Sequence, residues 1–280
     1  MRTQHSWRQF TAALFLMFSL LLTGCGTSSS EQTEYKETPV EELYNQAYDL
    51  LQKGEKTKAA EAFEEVERQH PYSAWATKAQ LMAAYAYYEG EKYDEANLAL
   101  DRFIQLHPGN DRIDYAYYLR AMVLYDQIND IARDQAITQA ALEALRDVIR
   151  RFPDTGYAKD AKLKIDLTLD HLAAKEMQIG RFYQKRQQYI AAINRFRKVV
   201  DQYQTTSHVP EALHRLVEVY TALGITDQAK ANAAVLGHNF PSSDWYQYSY
   251  NLITTGKNEL PVPKKDDRNF VRRALDEVLN

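Results

Sequence analysis

Only one cysteine, Cys25, occurs in the 280 residues of this chain. A lone thiol excludes a disulfide framework and any metal site built from cysteines within one chain. An excess of positive charge is also missing. The net charge is -4, and it falls to near -6 once Arg2 and Arg8 of the N-terminal segment are set aside. A nucleic-acid partner would want a basic face, so none is expected. Catalytic signatures are absent too: there is no G-x-S-x-G, no H-E-x-x-H, no P-loop and no Rossmann fingerprint. The seven histidines are scattered, and His208 and His214, six apart, sit poorly on one helical face. Glu61, Glu64 and Glu65 fit a solvated helix face. Neither an enzymatic activity nor a metal or other cofactor is expected. What is present is an ordinary share of hydrophobic (45%) and charged (26%) residues for a folded chain, with a surplus of tyrosine, at 20 residues.

The N-terminal segment accounts for the cysteine. Arg2 and Arg8 precede an apolar run from Phe10 to Leu22. That run is shorter than the roughly 20 residues that span a bilayer, and it has the size of a signal-peptide core. It closes in Leu22-Thr23-Gly24-Cys25, which resembles the lipobox of bacterial lipoproteins. The resemblance implies removal of residues 1–24, an S-diacylglycerol and an N-acyl lipid on Cys25, and a stable anchor from several acyl chains. Gly26, not an aspartate, follows the cysteine. By analogy with the sorting rule for such lipoproteins, the expected address is the periplasmic face of the outer membrane. Residues 25–38 are small and polar and read as a flexible tether.

From Pro39 onward the chain repeats itself. Pro71, Pro108, Pro153, Gln204 and Pro241 serve as anchors, with Gln204 standing where the pattern wants proline. Twelve positions before them stand Ala59, Ala96, Ala141, Ala192 and Ala229. Eight before stand Phe63, Leu100, Leu145, Phe196 and Ala233. Five before stand Val66, Phe103, Val148, Val199 and Leu236. These offsets share one helical face. Two residues after each anchor comes a helix-capping type: Ser73, Asn110, Thr155, Thr206 and Ser243. Four of the five units read as helix, turn, helix, proline, cap, and the fourth keeps its cap and seam without the proline, which resembles the tetratricopeptide (TPR) pattern. The expected fold is all-α, a superhelical solenoid of about five TPR helix-turn-helix repeats. The third unit carries extra residues around Asn129 to Gln135, and the fourth a long first helix near Ala158 to Lys185. The chain divides into an N-terminal half (39–157), a C-terminal half with one further helix (158–255), and a tail (256–280) ending in a short amphipathic stretch, Arg268 to Leu279.

A TPR groove is lined by the first helix of each pair. The TPR register assigns Glu41, Tyr44, Tyr48 and Leu51 to it in the first unit, Lys78, Leu81, Tyr85 and Tyr88 in the second, and Tyr115, Tyr118, Met122 and Tyr125 in the third. Ala174, Met177, Arg181 and Gln184 follow in the fourth, and Glu211, His214, Glu218 and Thr221 in the fifth. All seven tyrosines fall in the first three units. Tyrosine combines apolar area with a hydroxyl at low rotamer cost, so an aromatic groove for an extended peptide is expected in the N-terminal half. The C-terminal half reads as a different docking surface.

The run Leu172 to Phe196, LAAKEMQIGRFYQKRQQYIAAINRF, the stretch EALHRLVEVYTALGITDQAK, and VLGHNFPSSDWY up to Tyr246 resemble the BamD (ComL) family of lipoproteins over essentially the whole chain. The resemblance implies a non-enzymatic scaffold and substrate receptor of the β-barrel assembly (BAM) machinery. Its C-terminal repeats would dock on the POTRA domains of BamA, with other BAM lipoproteins nearby. Its N-terminal repeats would receive unfolded barrel precursors, whose final residue is characteristically aromatic. The match at AAINRF implies a BamA-facing role for Arg195. The competing readings are a TPR lipoprotein serving secretin or pilus assembly, or one coordinating peptidoglycan synthesis.

Overall fold

The computed structural model describes residues 38–128 and 135–257. Cys25 with its lipobox, almost all of the tether, the insertion at 129–134 and the terminal amphipathic stretch lie outside them. Among the described residues there are eleven helices and no strand. They are α1 (Val40–Gln52), α2 (Lys56–Gln69), α3 (Ala74–Glu89), α4 (Tyr93–Leu106), α5 (Ile113–Tyr125), α6 (Ala136–Arg151), α7 (Gly156–Lys185), α8 (Tyr189–Gln202), α9 (Val209–Ala222), α10 (Thr226–Asn239) and α11 (Asp244–Thr255). Short turns reverse the chain at most junctions, so successive helices pack as antiparallel neighbours. Five pairs form, α1/α2 through α9/α10, and α11 covers the end of the last. This is the expected TPR solenoid.

The repeated seam explains why the pairs close. All five alanines at the first offset are buried, none more than 2% exposed. The larger residues beside them, from Phe63 and Val66 to Leu236, are buried as well. A small residue lets two helices approach, and the bulky ones fill the space on either side. Gly180 extends the principle to the fourth pair. A Cβ there would stand 2.4 Å from the Phe196 ring, so only glycine lets α7 meet α8.

Every pair ends the same way. The N–H of His70, His107, Phe152, Tyr203 and Phe240 donates to a carbonyl four residues back. Each of those five residues then accepts, at its own carbonyl, from the N–H three residues on. The fourth junction keeps this turn although Gln204 replaces proline, because the bonds that shape it come from neighbours. Capping follows the expected pattern at three junctions: Ser73, Thr155 and Ser243 accept from the N–H of Ala76, Ala158 and Trp245. Asn110 instead accepts from the Arg112 N–H inside the turn. Thr206 donates to the Tyr203 carbonyl, and α9 starts three residues later, without a side-chain cap.

The buried residues form three clusters. One spans α1 to α5, one joins α5, α6 and α7, and the largest runs from Leu142 of α6 to α10. The 30-residue α7 contributes Ala161 to the second and Leu172, Ala173 and Met177 to the third. First helices of neighbouring pairs also touch directly, α1 with α3, α3 with α5, α5 with α7, and α9 with α11. The α7–α9 junction has no comparable seam, and long polar side chains span it instead.

Candidate functional site

The inner helices α3, α5 and α7 bring the expected tyrosines together. Tyr85 and Tyr88 come from α3, Tyr115, Tyr118 and Tyr125 from α5, and all five are half-buried. Two hydroxyls are held by carboxylates of the next inner segment. Tyr88 donates to Oδ2 of Asp126 at 2.5 Å, and Tyr118 to Oδ2 of Asp160 at 2.6 Å. Burial pushes the Tyr88, Tyr115 and Tyr118 hydroxyls well up, with added help from Asp126 for Tyr88, Tyr85 for Tyr115 and Asp160 for Tyr118. Tyr88 and Tyr118 therefore serve as neutral donors. The bond from Tyr118 holds the Asp160 carboxyl below its usual range. Lys164 pairs with Asp160 at 3.1 Å and lies 5.3 Å from the Tyr125 ring centroid. The result is an aromatic surface studded with carboxylates.

Tyr44 and Tyr48 stand apart from this set. Tyr44 packs edge-on to Phe63 and lies 4.8 Å from the Trp75 ring, so it works in the seam between α1 and α3. Tyr48 is exposed, at 44%. Four other residues assigned to the groove are core instead: Leu51, Leu81, Met177 and His214 are buried. An offset of one residue from the TPR register rotates a side chain by about 100°, which is enough to turn it inward.

Tyr157 was not among the sequence candidates. Its ring stacks on Tyr118 at 4.9 Å and meets Tyr115 at 5.6 Å. A signal for it exists. An aromatic two residues past the cap occurs at Trp75, Tyr157 and Trp245, and each packs on the preceding inner helix, against Tyr44, Tyr118 and His214 respectively. The fourth unit was read from the second half of α7, so the first turn of that helix was passed over.

The C-terminal half is ionic. Both carboxylate oxygens of Glu211 accept from Nη1 of Arg181 at 3.0 Å. Glu218 accepts from Gln184 and from Arg215, each at 2.8 Å. The Arg181–Glu211 and Gln184–Glu218 contacts bridge α7 to α9. The cleft beside them is lined by Gln178, Arg181, Phe182, Lys185 and Arg215, with Phe182 half exposed under the Arg186 guanidinium. Burial works against ionisation of Glu218, but bonds from His214, Gln184 and Arg215 outweigh it and hold the carboxyl at about 2. His214 also sits 2.9 Å from the Ser249 hydroxyl of α11. Serine, histidine and glutamate thus stand in a row, yet Ser249 is 0% and His214 1% exposed. No substrate can reach that hydroxyl, and the row acts as a tie between α9 and α11.

Arg195 lies on α8 and shares a carboxylate with Lys198. Glu176 of α7 is 7% exposed. It accepts from Arg195 at 2.9 Å and from Lys198 at 2.6 Å. Burial alone would raise the Glu176 carboxyl, but the two cations together hold it below its usual range. The Arg195 side chain remains 39% exposed, so it keeps donors for a second, external acceptor. Among the described residues no group of histidine, cysteine or acidic side chains is arranged to hold a metal ion, and no helix is long and apolar enough to cross a membrane.

Comparison with known proteins follows the same outline. Residues 36–251 match the profile of a family described as YfiO, outer membrane lipoprotein. A Caulobacter vibrioides protein named outer membrane protein assembly factor BamD is 49% identical over 92% of this chain and 85% of its own length. Its namesake from Rickettsia prowazekii is 47% identical over 87% of this chain and 96% of its own. The protein of that name from Neisseria meningitidis serogroup A is 35% identical over 85% and 94%. A TPR protein of Thermus thermophilus of known structure covers 73% of this chain and 93% of its own at 19% identity. Its TM-score of 0.35 marks a superposition too loose to add to the helix pairing described above.

Proposed function

The chain belongs to the YfiO family of outer membrane lipoproteins, and from that membership we propose a non-catalytic scaffold that assists assembly of β-barrel proteins into the outer membrane. Relatives named as outer membrane protein assembly factors match it along nearly their whole length, and that observation carries the reading. A lipid on Cys25 holds the protein at the periplasmic face. The C-terminal half docks on the POTRA domains of BamA, with Arg195 reaching a partner carboxylate while Lys198 keeps Glu176 neutralised. The aromatic surface of α3, α5 and α7 takes up segments of unfolded barrel precursors. Its half-exposed rings and hydroxyls suit the aromatic end of such chains. Other lipoproteins of the assembly machinery complete the set of partners.

The test is affinity purification of the full-length lipoprotein from detergent-solubilised envelopes, with partners identified by mass. A POTRA-bearing barrel protein in stoichiometric yield is the expected result. Recovery of a secretin or a cell-wall synthase in its place would sink the assembly reading and leave the repeat fold standing.

A further inference from the structure

The turns that join one helix pair to the next lie on the edge of the array where α1 begins. Antiparallel packing sets the start of α1 beside the turn from α2 to α3, and the 4.8 Å approach of Tyr44 to Trp75 ties the two together. The turn from α4 to α5 follows on the same edge, where His107 Nε2 lies 2.7 Å from Oε1 of Gln80 in α3. Two large side chains project here, Tyr72 from the first turn and Leu106 from the last residue of α4. Tyr72 is fully exposed, at 102%, and Leu106 is 56% exposed, next to the exposed Pro71 and Pro108. The first turn is well fixed. The Ser73 N–H donates to the His70 carbonyl at 3.1 Å, and the Ser73 hydroxyl accepts from Ala76 at 3.0 Å. Tyr72 is therefore held outward on a shaped turn and buries no area within its own chain. On the opposite edge of the same two repeats the turns are polar, with Lys53 and Glu55 in one and Glu91 and Lys92 in the other.

The chain enters this edge at Val40, with 14 residues between that point and Cys25. We infer that this edge rests on the lipid surface, with Tyr72 and Leu106 as its contacts. The inference rests on the Cys25 anchor proposed above. Those 14 residues reach roughly 50 Å at most, whatever their arrangement, so the anchor keeps the edge at high local concentration beside the bilayer. Under that condition two side chains suffice. A tyrosine places its ring at headgroup level with its hydroxyl in water, and a leucine beside it enters the acyl boundary. The edge carries no excess of cations, so the contact fits a zwitterionic surface.

The test uses the full-length lipidated protein in phosphatidylethanolamine–phosphatidylcholine vesicles. Acylation consumes the Cys25 thiol, so a nitroxide can be placed singly through Tyr72→Cys or, on the opposite edge, Lys53→Cys. Collision rates with oxygen and with a water-soluble nickel chelate are then measured. The label at 72 should meet the chelate several-fold less often than the label at 53, and oxygen more often. Equal access of the chelate to both labels, while the protein still floats with the vesicles, overturns the inference and leaves the anchor intact. Shielding at 72 that appears only after another protein is added overturns it in favour of a protein partner. Failure to float refutes the anchor, and the lipid-facing edge falls with it.

Discussion

Two cations share one enclosed carboxylate at Glu176, and this sharing decides what a substitution there will report. Removing the sole partner of a buried charge costs about 3–5 kcal/mol. Here Lys198 remains after Arg195→Ala, at 2.6 Å from Glu176. Arg195→Ala should therefore lower the stability of unfolding by less than about 1 kcal/mol. The double change Arg195→Ala with Lys198→Ala should cost roughly 3 kcal/mol, more than the two singles together. Urea denaturation of the four proteins checks this. An additive result would show that Glu176 finds other solvation. If the single change also abolishes co-purification with the partner, the loss can be assigned to docking and not to unfolding. Sequence reading reached Arg195 through AAINRF but not its two companions, because Glu176 lies 19 positions away on another helix. Pairings across helices carry no periodicity to read. Gly180 is the opposite case. It stands within the run from Leu172 to Phe196 that carries the family resemblance, and the 2.4 Å approach to Phe196 gives it a packing role. Gly180→Ala should lower the melting temperature, through overpacking worth about 1–3 kcal/mol, and Phe196→Leu in the same chain should restore part of the loss.

The individual helices were the part of the fold most legible in the sequence, because 3.6-residue periodicity, capping residues and helix-stopping prolines all act locally. The seam alanines and their neighbours were placed correctly in all five pairs. What escaped was the contact between inner helices, where Tyr157 meets Tyr118 and where Met177 and His214 turn inward. Such contacts depend on helix rotation, which a register error of one residue moves by about 100°. The tie among α7, α9 and α11 makes a prediction at this scale. The Glu218 carboxyl is held at about 2, below its usual 4.5. A depressed carboxyl contributes stability that is present above its unfolded value and lost as pH falls toward the folded one. The last repeats should thus weaken between about pH 4.5 and pH 2, by no more than about 3 kcal/mol from this group. Hydrogen exchange in α9 and α11 at pH 7 and pH 3.5 measures it. In Glu218→Gln, protection should be lower at pH 7 and should change less between the two. Equal pH dependence in both proteins would remove Glu218 as the cause.

For the molecule as a whole, the proposed lipid attachment and the fold should be separable. Cys25→Ala should move the protein from the membrane to the soluble fraction in cells depleted of the proposed barrel partner, with an unchanged circular dichroism spectrum. Persistent membrane attachment under those conditions would refute the lipid anchor.

The inner-face ties carry a kinetic consequence. Tyr118 reaches Asp160 across 42 positions, Tyr88 reaches Asp126 across 38, and His214 reaches Ser249 across 35. Each joins one repeat to the next. Loop closure on that scale is entropically cheap, and chains built from such contacts fold quickly. A newly delivered chain can complete one pair while later ones are still extended. A β-barrel has no such freedom, since its first and last strands must meet before any edge is safe. The assembly factor avoids in its own folding the closure step that its proposed clients must finish.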